Sequence, residues 1–359
     1  MSGLLSKSPP SPWAALTLAL WLAVPGCGLT QPRPADQGPR PAFSAVVDDP
    51  AAAMSTAVVT PTVSIDGREY ASLVAAVLAA SDGDILKLEP GLHGGPVEFR
   101  SSLTLEPSAS LGAVTIHSRS PTCVSVRGDV KVVMRGLTLR ADGSHGDSRE
   151  AAVTVAGGEL SLEYCHVGAR ANGAVQVLEG TLRMEQCSVL VEQWQTAILV
   201  GEDSESWLSD CRVENRAVPG TGVEVWESSS HIIGGRFAAS GAAVVAGEGG
   251  QVMVDEALLI NGGVVALQNG SLALDDCDLV GSVRAAVRSF GLVTLAHSRL
   301  QQHDLGLIVS GPDARLTVID CHWIDVDEVV AFEDTATEEQ LFMDELVPPT
   351  STGQLPSGT

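Results

Sequence analysis

Apolar and polar residues alternate in two short runs within Ala174–Val189, AVQVLEGTLRMEQCSV, on either side of a Glu-Gly turn. Alternation with a period of two is typical of a β-strand that buries one side. Relative to Cys187, apolar residues stand five and three positions before and two positions after. The same frame recurs at intervals of 20 to 28 residues, with anchors at Leu137, Cys165, Cys187, Cys211, Gly235, Ala257, Cys277, Ser298 and Cys321.

A second apolar column precedes these anchors and recurs in step with them, at Val153, Val175, Ile198, Val223, Val244, Val265, Val287 and Ile308. Repetition at such a period indicates a solenoid, in which each repeat packs on its neighbours. No repeat has an apolar run with the helical period of 3.6, and the frame of leucine-rich repeats is absent. The sequence therefore predicts an all-β fold, a right-handed single-stranded parallel β-helix of about ten rungs.

The segment before the repeats predicts a helix at Ala71–Ala80, a Gly-Asp turn, a strand at Ile85–Leu88 and a Pro-Gly turn. Together with Val132–Leu139, VVMRGLTL, this order resembles the entry and the repeats of the pectin-lyase-like superfamily, in particular its NosD-type and carbohydrate-binding/sugar-hydrolase members. The resemblance covers residues 63–332 and implies that the helix caps the N-terminal end of the solenoid. It implies no particular activity, because one fold hosts many functions.

The predicted β-helix domain spans residues 61–347. Residues 142–150 are expected to form one longer loop. The run 338–346, EEQLFMDEL, predicts a short amphipathic helix that covers the last rung, because open strand edges need a cover. Residues 348–359 are predicted to be a disordered tail.

Residues 1–27 have the features of an export signal. Lys7 is followed by an apolar run over 13–24 that is too short to span a bilayer. The end of this segment, Val24–Cys27 (VPGC), resembles the lipobox of bacterial lipoproteins. The resemblance implies that Cys27 carries lipid and that the chain meets a membrane through this anchor.

Gly28 after the cysteine implies, by the same resemblance, a place at the outer membrane or cell surface of a bacterium. Pro25 departs from the usual lipobox residue, so secretion or a periplasmic location is the alternative. The Pro- and Ala-rich residues 28–60 are predicted to be a disordered tether between the anchor and the solenoid.

Composition narrows the set of partners. The formal net charge is −23 over 359 residues, and the chain has 21 Lys and Arg against 44 Asp and Glu. Such a surface repels phosphate backbones, so nucleic acid is not expected as a partner. Aromatic residues make up only 4% of the chain, which suits a narrow solenoid interior filled by small aliphatic side chains.

Acidic residues cluster in two consecutive repeats. Stacking would place Glu256 and Asp276 about 5 Å apart with Arg236 nearby, a spacing near that of a retaining glycosidase pair. Carboxylates here are also candidate ligands for Ca²⁺, namely Asp255, Glu256, Asp275, Asp276 and Asp278. The preferred interpretation is a solvated acidic face without a cofactor or metal, since the chain is acidic throughout.

Other motifs of the resembled superfamily do not favour catalysis. An Asp-Asp pair stands at 275–276, but the accompanying Asn-Thr-Asp, Gly-His-Gly and Arg-Ile-Lys motifs of polygalacturonase-like members are absent. The short predicted turns also leave little wall from which to build a cleft. The recurrent cysteines are interpreted as small apolar fillers, with a disulfide or a metal as the alternatives.

Three tryptophans are candidates for stacking on a sugar: Trp194, Trp207 and Trp226 fall within two consecutive repeats. Packing against loops is the alternative for them, and it is preferred. Trp323 falls at an inward position and is predicted to lie in the core.

The leading functional hypothesis is an exported, lipid-anchored and non-catalytic β-helix that binds or scaffolds at the bacterial envelope, with a polysaccharide or other envelope polymer as ligand. The first alternative is a polysaccharide lyase or glycosidase that uses Glu256, Asp276 and Arg236. The second is a structural spacer that assembles through its rung ends. The oligomeric state stays open.

Overall fold

The computed structural model describes residues 61–143, 150–170, 173–282 and 285–343. The predicted export signal, tether and tail lie outside the described residues. The described chain is a parallel β-solenoid of about 11 turns with one α-helix, which confirms the predicted fold class. Within these ranges no helix is long and apolar enough to cross a membrane.

In chain order the elements are β1 (Val63–Ile65), β2 (Arg68–Tyr70), α1 (Leu73–Ala79), β3 (Ile85–Leu88), β4 (Gly91–Gly94), β5 (Val97–Phe99), β6 (Leu103–Pro107), β7 (Val114–Ser118), β8 (Val124–Arg127), β9 (Lys131–Arg135), β10 (Leu137–Ala141), β11 (Ala151–Glu163), β12 (His166–Ala169), β13 (Gly173–Glu185), β14 (Ser188–Val191), β15 (Thr196–Val200), β16 (Ser204–Ser209), β17 (Arg212–Asn215), β18 (Thr221–Val225), β19 (Ser229–Ile233), β20 (Arg236–Ala239), β21 (Ala242–Ala246), β22 (Gln251–Asp255), β23 (Leu258–Ile260), β24 (Gly263–Ala266), β25 (Ser271–Asp275), β26 (Asp278–Val280), β27 (Val287–Ser289), β28 (Leu292–Ala296), β29 (Arg299–Ser310), β30 (Arg315–Ile319), β31 (His322–Glu333) and β32 (Leu341–Met343).

Each coil crosses three parallel faces in turn. Face 1 contains β5, β8, β15, β18, β21, β24, β27 and parts of β11, β13, β29 and β31. Face 2 contains β3, β6, β9, β16, β19, β22, β25, β28, β30, β32 and the second parts of β11 and β13. Face 3 contains β4, β7, β10, β12, β14, β17, β20, β23, β26 and the first parts of β29 and β31.

The strands of consecutive coils pair in register, so like positions stack. On face 1, Val175 lies opposite Ile198, which lies opposite Val223. Alternate residues of each strand point inward and form one apolar core along the solenoid. The predicted anchor column lies in this core at the corner between faces 2 and 3.

The second predicted column is wrong at two positions. Val264, and not Val265, pairs with the inward Val244, because the register shifts by one residue between β21 and β24. Val265 pairs with the outward Arg288, and Leu307 therefore takes the inward position that the sequence assigned to Ile308. Consecutive valines and a leucine-isoleucine pair hide such a shift, since every alignment keeps an apolar residue in the column.

The cysteine column fills the corner between faces 2 and 3. Its members are buried and unpaired in the described ranges, and their thiols lie within hydrogen-bond reach of carbonyls, as in Cys187 Sγ to Leu162 O at 3.2 Å. Ser298 occupies the same column and donates to Ala296 O at 2.6 Å. Burial raises the pKa of Cys277 to about 11, so this thiol stays protonated at neutral pH. The column therefore accepts small or apolar side chains, since Leu137, Gly235 and Ala257 occupy it as well, and its Cys and Ser residues place their donors near backbone carbonyls.

The N-terminal end is closed much as the sequence predicts. α1 begins after Ser72, whose Oγ accepts a hydrogen bond from Ala75 N–H at 3.2 Å. Leu73, Ala76 and Val77 are buried. The helix is shorter than the predicted Ala71–Ala80 because Ser72 and Ala80 are its N-cap and C-cap, both with extended backbone.

The C-terminal end differs from the prediction. The sequence predicts a helix over 338–346, but Glu338–Gln340 form a single 3-10 turn. The chain then continues as β32, which pairs with β30 on face 2. Residues 344–346 lie outside the described residues. The buried Gln340 amide donates to the carbonyls of Gly311, Pro312 and Ala314. These bonds and the free edge of β30 favour a strand over a helix here.

Candidate functional site

The predicted acidic site lies at the corner between faces 2 and 3. We call the part of this corner that contains Glu256 and Asp276 the acidic corner. Glu256 and Asp276 have positive φ angles of 54° and 48°, in the left-handed region. Each donates its backbone N–H to the next coil, Glu256 to Asp275 O at 3.1 Å and Asp276 to Ala296 O at 3.2 Å. The same conformation recurs along this column at Tyr164, Gln186, Asp210, Gly234, His297 and Asp320. The polar character of the column therefore follows from the turn, which favours Gly, Asp and similar residues.

The neighbouring charges are spread over several coils, and some of them are already paired. Arg236 is separated from Asp278 by Leu258, which occupies the coil between them in the same column. Asp278 is bound by Arg299 through two hydrogen bonds of 2.6 and 2.7 Å. Asp275 accepts a hydrogen bond of 2.7 Å from His297, which raises the pKa of that imidazole.

The candidate Ca²⁺ ligands Asp255, Glu256, Asp275, Asp276 and Asp278 lie at the same corner. Across the described ranges, no group of three or more His, Cys, Asp or Glu side chains is arranged to hold a metal ion. The predicted Ca²⁺ ligands lie along an exposed edge, where two of the five already have a basic partner.

The three tryptophans lie at different places on the coil. Trp194 precedes face 1 and is half-buried against the core. Trp226 directly follows β18 on face 1, donates to Glu224 Oε1 at 2.8 Å and covers Gly247, where an added Cβ would clash with the indole. Trp207 points outward from the middle of β16 on face 2. Trp323 is buried in the core, as predicted.

A polar groove runs along the corner between faces 1 and 2, between Trp207 and Trp226. We call it the corner groove. It crosses four consecutive coils and is open to solvent, and its lining residues are Gly180, Thr181, Asp203, Ser204, Glu205, Glu227, Ser228, Ser229, Gly249 and Gln251. Four coils at the spacing of paired strands give it a length of about 14 Å.

The shape of the corner groove follows from its turns. Asp203, Glu227 and Gly249 occupy consecutive coils in the left-handed region, with φ of 54°, 48° and 65°. Asp203 N–H donates to Glu227 O at 3.2 Å, which ties two of these turns together. After each turn the strand presents an outward polar side chain to the groove, such as Glu205 on β16 and Gln251 on β22.

Three carboxylates of the corner groove are exposed: Asp203, Glu205 and Glu227. Among the residues that the structure describes, no side chain forms an ion pair or hydrogen bond with these three carboxylates. By contrast, the nearby carboxylate of Glu224 already has hydrogen-bond partners, since it accepts from Thr196 and Trp226. The groove therefore offers acceptors that a ligand can use.

A stacked row of side chains borders the corner groove on face 2. Arg183, Trp207, His231 and Met253 occupy successive coils in register. The Arg183 guanidinium lies 4.2 Å from the Trp207 ring centroid, and the His231 ring stacks at 6.1 Å with an interplanar angle of 15°. Since these neighbours lie one coil to either side, both flat faces of Trp207 are covered. A ligand would meet the edge of the indole rather than its face.

The corner groove is not predicted from the sequence, although Trp207 and Trp226 are among its candidate residues. Asp203, Glu205, Glu227 and His231 share no motif, and they meet only because coils of unequal length come into register. A usable signal was the recurrence of a turn followed by an outward polar residue, seen at Asp203-Ser-Glu205 and Glu227-Ser-Ser229.

The comparisons with known proteins concern the fold. No model of a known protein family matches the sequence, and no curated protein matches it. Among solved structures, the A-module of a mannuronan C-5 epimerase from Azotobacter vinelandii is 14% identical, with a TM-score of 0.42 over 76% of this chain and 94% of that one. A pectin methylesterase from Yersinia enterocolitica is 14% identical, with a TM-score of 0.33 over 77% and 94%.

A surface adhesin of Streptococcus pneumoniae is also similar, at 7% identity and a TM-score of 0.35 over 72% of this chain and 87% of that one. At these identities and scores, the activities of these proteins say nothing about this chain. The architecture rests on the strand pairing described above: the chain is a parallel β-helix protein, as its repeats predicted.

Proposed function

We propose that this chain is a non-catalytic glycan-binding module and that the corner groove holds the glycan. The proposal is supported chiefly by the groove itself, which is lined by hydroxyls, an amide and carboxylates that have no partner among the described residues. Trp226 directly precedes Glu227 of the groove, and Trp207 follows Glu205 by two residues on β16. Sugar hydroxyls donate to carboxylates and accept from amides, and an indole edge adds apolar contact. A groove along the axis also suits a linear polymer better than a compact metabolite.

Binding is favoured over catalysis by the openness of the groove. A general acid at neutral pH needs a carboxyl whose pKa is raised by burial or by a walled site. Asp203, Glu205 and Glu227 are all exposed, and water and salt screen their mutual repulsion. The pair Glu256 and Asp276 is equally exposed and lies at the opposite edge of face 2.

The test is a glycan array with the full chain, followed by titration calorimetry on the best ligand. A Glu205→Gln/Glu227→Gln variant is expected to weaken binding about tenfold or more, because it removes two charged acceptors. The matched control is Glu256→Gln/Asp276→Asn, which makes the same chemical change at the other corner and is expected to bind like the wild type.

Two outcomes would contradict the proposal. If Glu256→Gln/Asp276→Asn lost binding and Glu205→Gln/Glu227→Gln did not, the glycan would bind at the acidic corner and not in the corner groove. The wild type would be an enzyme instead if it released reducing ends or unsaturated products from pectate, polygalacturonate, alginate or peptidoglycan and one of the two variants did not.

We also propose that the chain is held at the bacterial envelope through lipid on Cys27. The support is the apolar run over 13–24 and the lipobox-like Val24–Cys27. Two acyl chains suffice to hold a protein on a bilayer. A Cys27→Ser variant is expected to move from the membrane fraction to the soluble fraction, which fractionation and immunoblotting measure. Unchanged partition into the membrane fraction would refute the anchor.

A further inference from the structure

The carboxylates of the corner groove differ from two carboxylates on face 2 that are paired with basic side chains. On face 2, Glu159 is paired with Lys131 at 3.1 Å and with Arg183 at 3.3 Å. Glu163 is paired with Arg135 at 2.8 Å, and that ion pair raises the pKa of the guanidinium. These two carboxylates are therefore neutralised locally, whereas Asp203, Glu205 and Glu227 of the groove have no basic partner among the described residues.

Among the residues that the structure describes, no cationic side chain lines the corner groove to offset its charge. Its ten lining residues include Asp203, Glu205 and Glu227 but no Lys, Arg or His. Arg183 borders the groove, yet its guanidinium lies over Trp207 and reaches Glu159. A ligand that lies along the groove therefore meets three negative charges on two consecutive coils.

From this arrangement we infer that the corner groove selects glycans without carboxylate or sulfate groups, and that it takes neutral and amino sugars but rejects polyuronates. This inference rests on the proposed glycan-binding function. Neutral hydroxyls and ammonium groups donate hydrogen bonds to the free carboxylates. A uronate would place its own carboxylate beside them, with repulsion and without a partner.

The selectivity arises from charges near the surface, so it depends on salt. Interactions between exposed charges are largely screened beyond about 10 Å at 0.1 M salt and beyond about 3 Å at 1 M. We therefore expect uronate binding to improve as salt is added, while the binding of a neutral glycan changes little and that of an amino glycan weakens.

The experiment compares three oligosaccharides of equal length by titration calorimetry with the full chain: an N-acetylglucosamine oligomer, its de-N-acetylated form and a galacturonate oligomer. At low salt the galacturonate oligomer is expected to bind about tenfold more weakly than the neutral one, equivalent to about 1.4 kcal/mol. The gap is expected to narrow at about 1 M NaCl.

An Asp203→Asn variant separates charge from shape. It keeps a short polar side chain that tolerates the left-handed turn, and it is expected to reduce the discrimination against galacturonate. Equal or tighter binding of galacturonate by the wild type would overturn the selectivity while leaving the glycan-binding function intact. Failure of all three oligomers and of the array to bind would refute both.

Discussion

A Val254→Asp variant is expected to lose its cooperative thermal transition or to be destabilised by about 4 kcal/mol or more. Val254 points inward from β22 and is 2% exposed. Its neighbours in register are Ile232 and Leu274, both buried and apolar, so the new carboxylate would have no partner. An unpaired buried charge costs several kcal/mol, which is a large part of the stability of a typical domain.

The adjacent Met253 provides the matched control. It lies on the same strand, points outward and is 55% exposed. A Met253→Asp variant is expected to lose at most about 1 kcal/mol, which reflects the lower strand propensity of aspartate. Thermal unfolding followed by circular dichroism measures both variants. Similar melting temperatures for the two would mean that the inward and outward sides of β22 are assigned wrongly.

The fold could be predicted from the sequence because each coil repeats the same pattern of inward apolar and outward polar residues. Alternation in Val175–Val177 and Leu182–Met184 fixes the buried side of the two parts of β13, on faces 1 and 2, and the recurring anchor fixes the corner between faces 2 and 3. Neighbouring coils then reinforce the pattern, since like positions stack. Where both candidates are apolar, as at Val264 and Val265, the same pattern cannot determine the register.

The ends of the solenoid were harder to predict than its middle. A terminal strand such as β32 pairs with only one neighbour, β30. The other contacts at this end do not recur along the chain, so the repeat pattern does not predict them. The buried Gln340 amide satisfies three carbonyls of the preceding coil, whereas sequence periodicity around it indicated a helix. Tertiary hydrogen bonds outweigh local propensity at such a place.

The acidic corner shows how a backbone requirement can resemble a functional signal. Glu256 and Asp276 stack in consecutive coils because that corner takes the left-handed conformation in coil after coil. The corner groove has similar turns at Asp203 and Glu227, but there the next strand adds outward polar residues and two tryptophans stand close by. Sequence alone does not distinguish the two corners, since the difference lies in what surrounds each turn.

A buried histidine links two coils near the C-terminal end and should make stability depend on pH. His303 is 2% exposed; its Nε2 donates to Leu279 O at 2.9 Å, and its Nδ1 accepts from Ser282 N–H at 3.0 Å. This arrangement requires the neutral ring. Burial lowers the pKa of His303 below the ordinary value of 6.5, although the hydrogen bond to Leu279 and the nearby Asp304 oppose the shift.

Because the folded-state pKa lies below that of the unfolded chain, the unfolded chain takes up a proton first as the pH falls. The contribution of His303 to stability is therefore complete above about pH 6.5 and declines as the pH falls below it, toward the folded-state pKa. A His303→Ala variant is expected to lose about 2–4 kcal/mol at about pH 7.5, because it leaves a buried N–H and a buried carbonyl unpaired and opens a cavity.

A His303→Gln variant tests the titration separately from the hydrogen bonds. Its amide can donate to Leu279 O and accept from Ser282 N–H, as the neutral imidazole does, but it does not titrate. Urea unfolding between about pH 7.5 and 5 should show the wild type losing more stability than this variant, since the surface carboxylates are common to both. Parallel pH curves for the two proteins would show that His303 is not the titrating group, whatever the loss in His303→Ala.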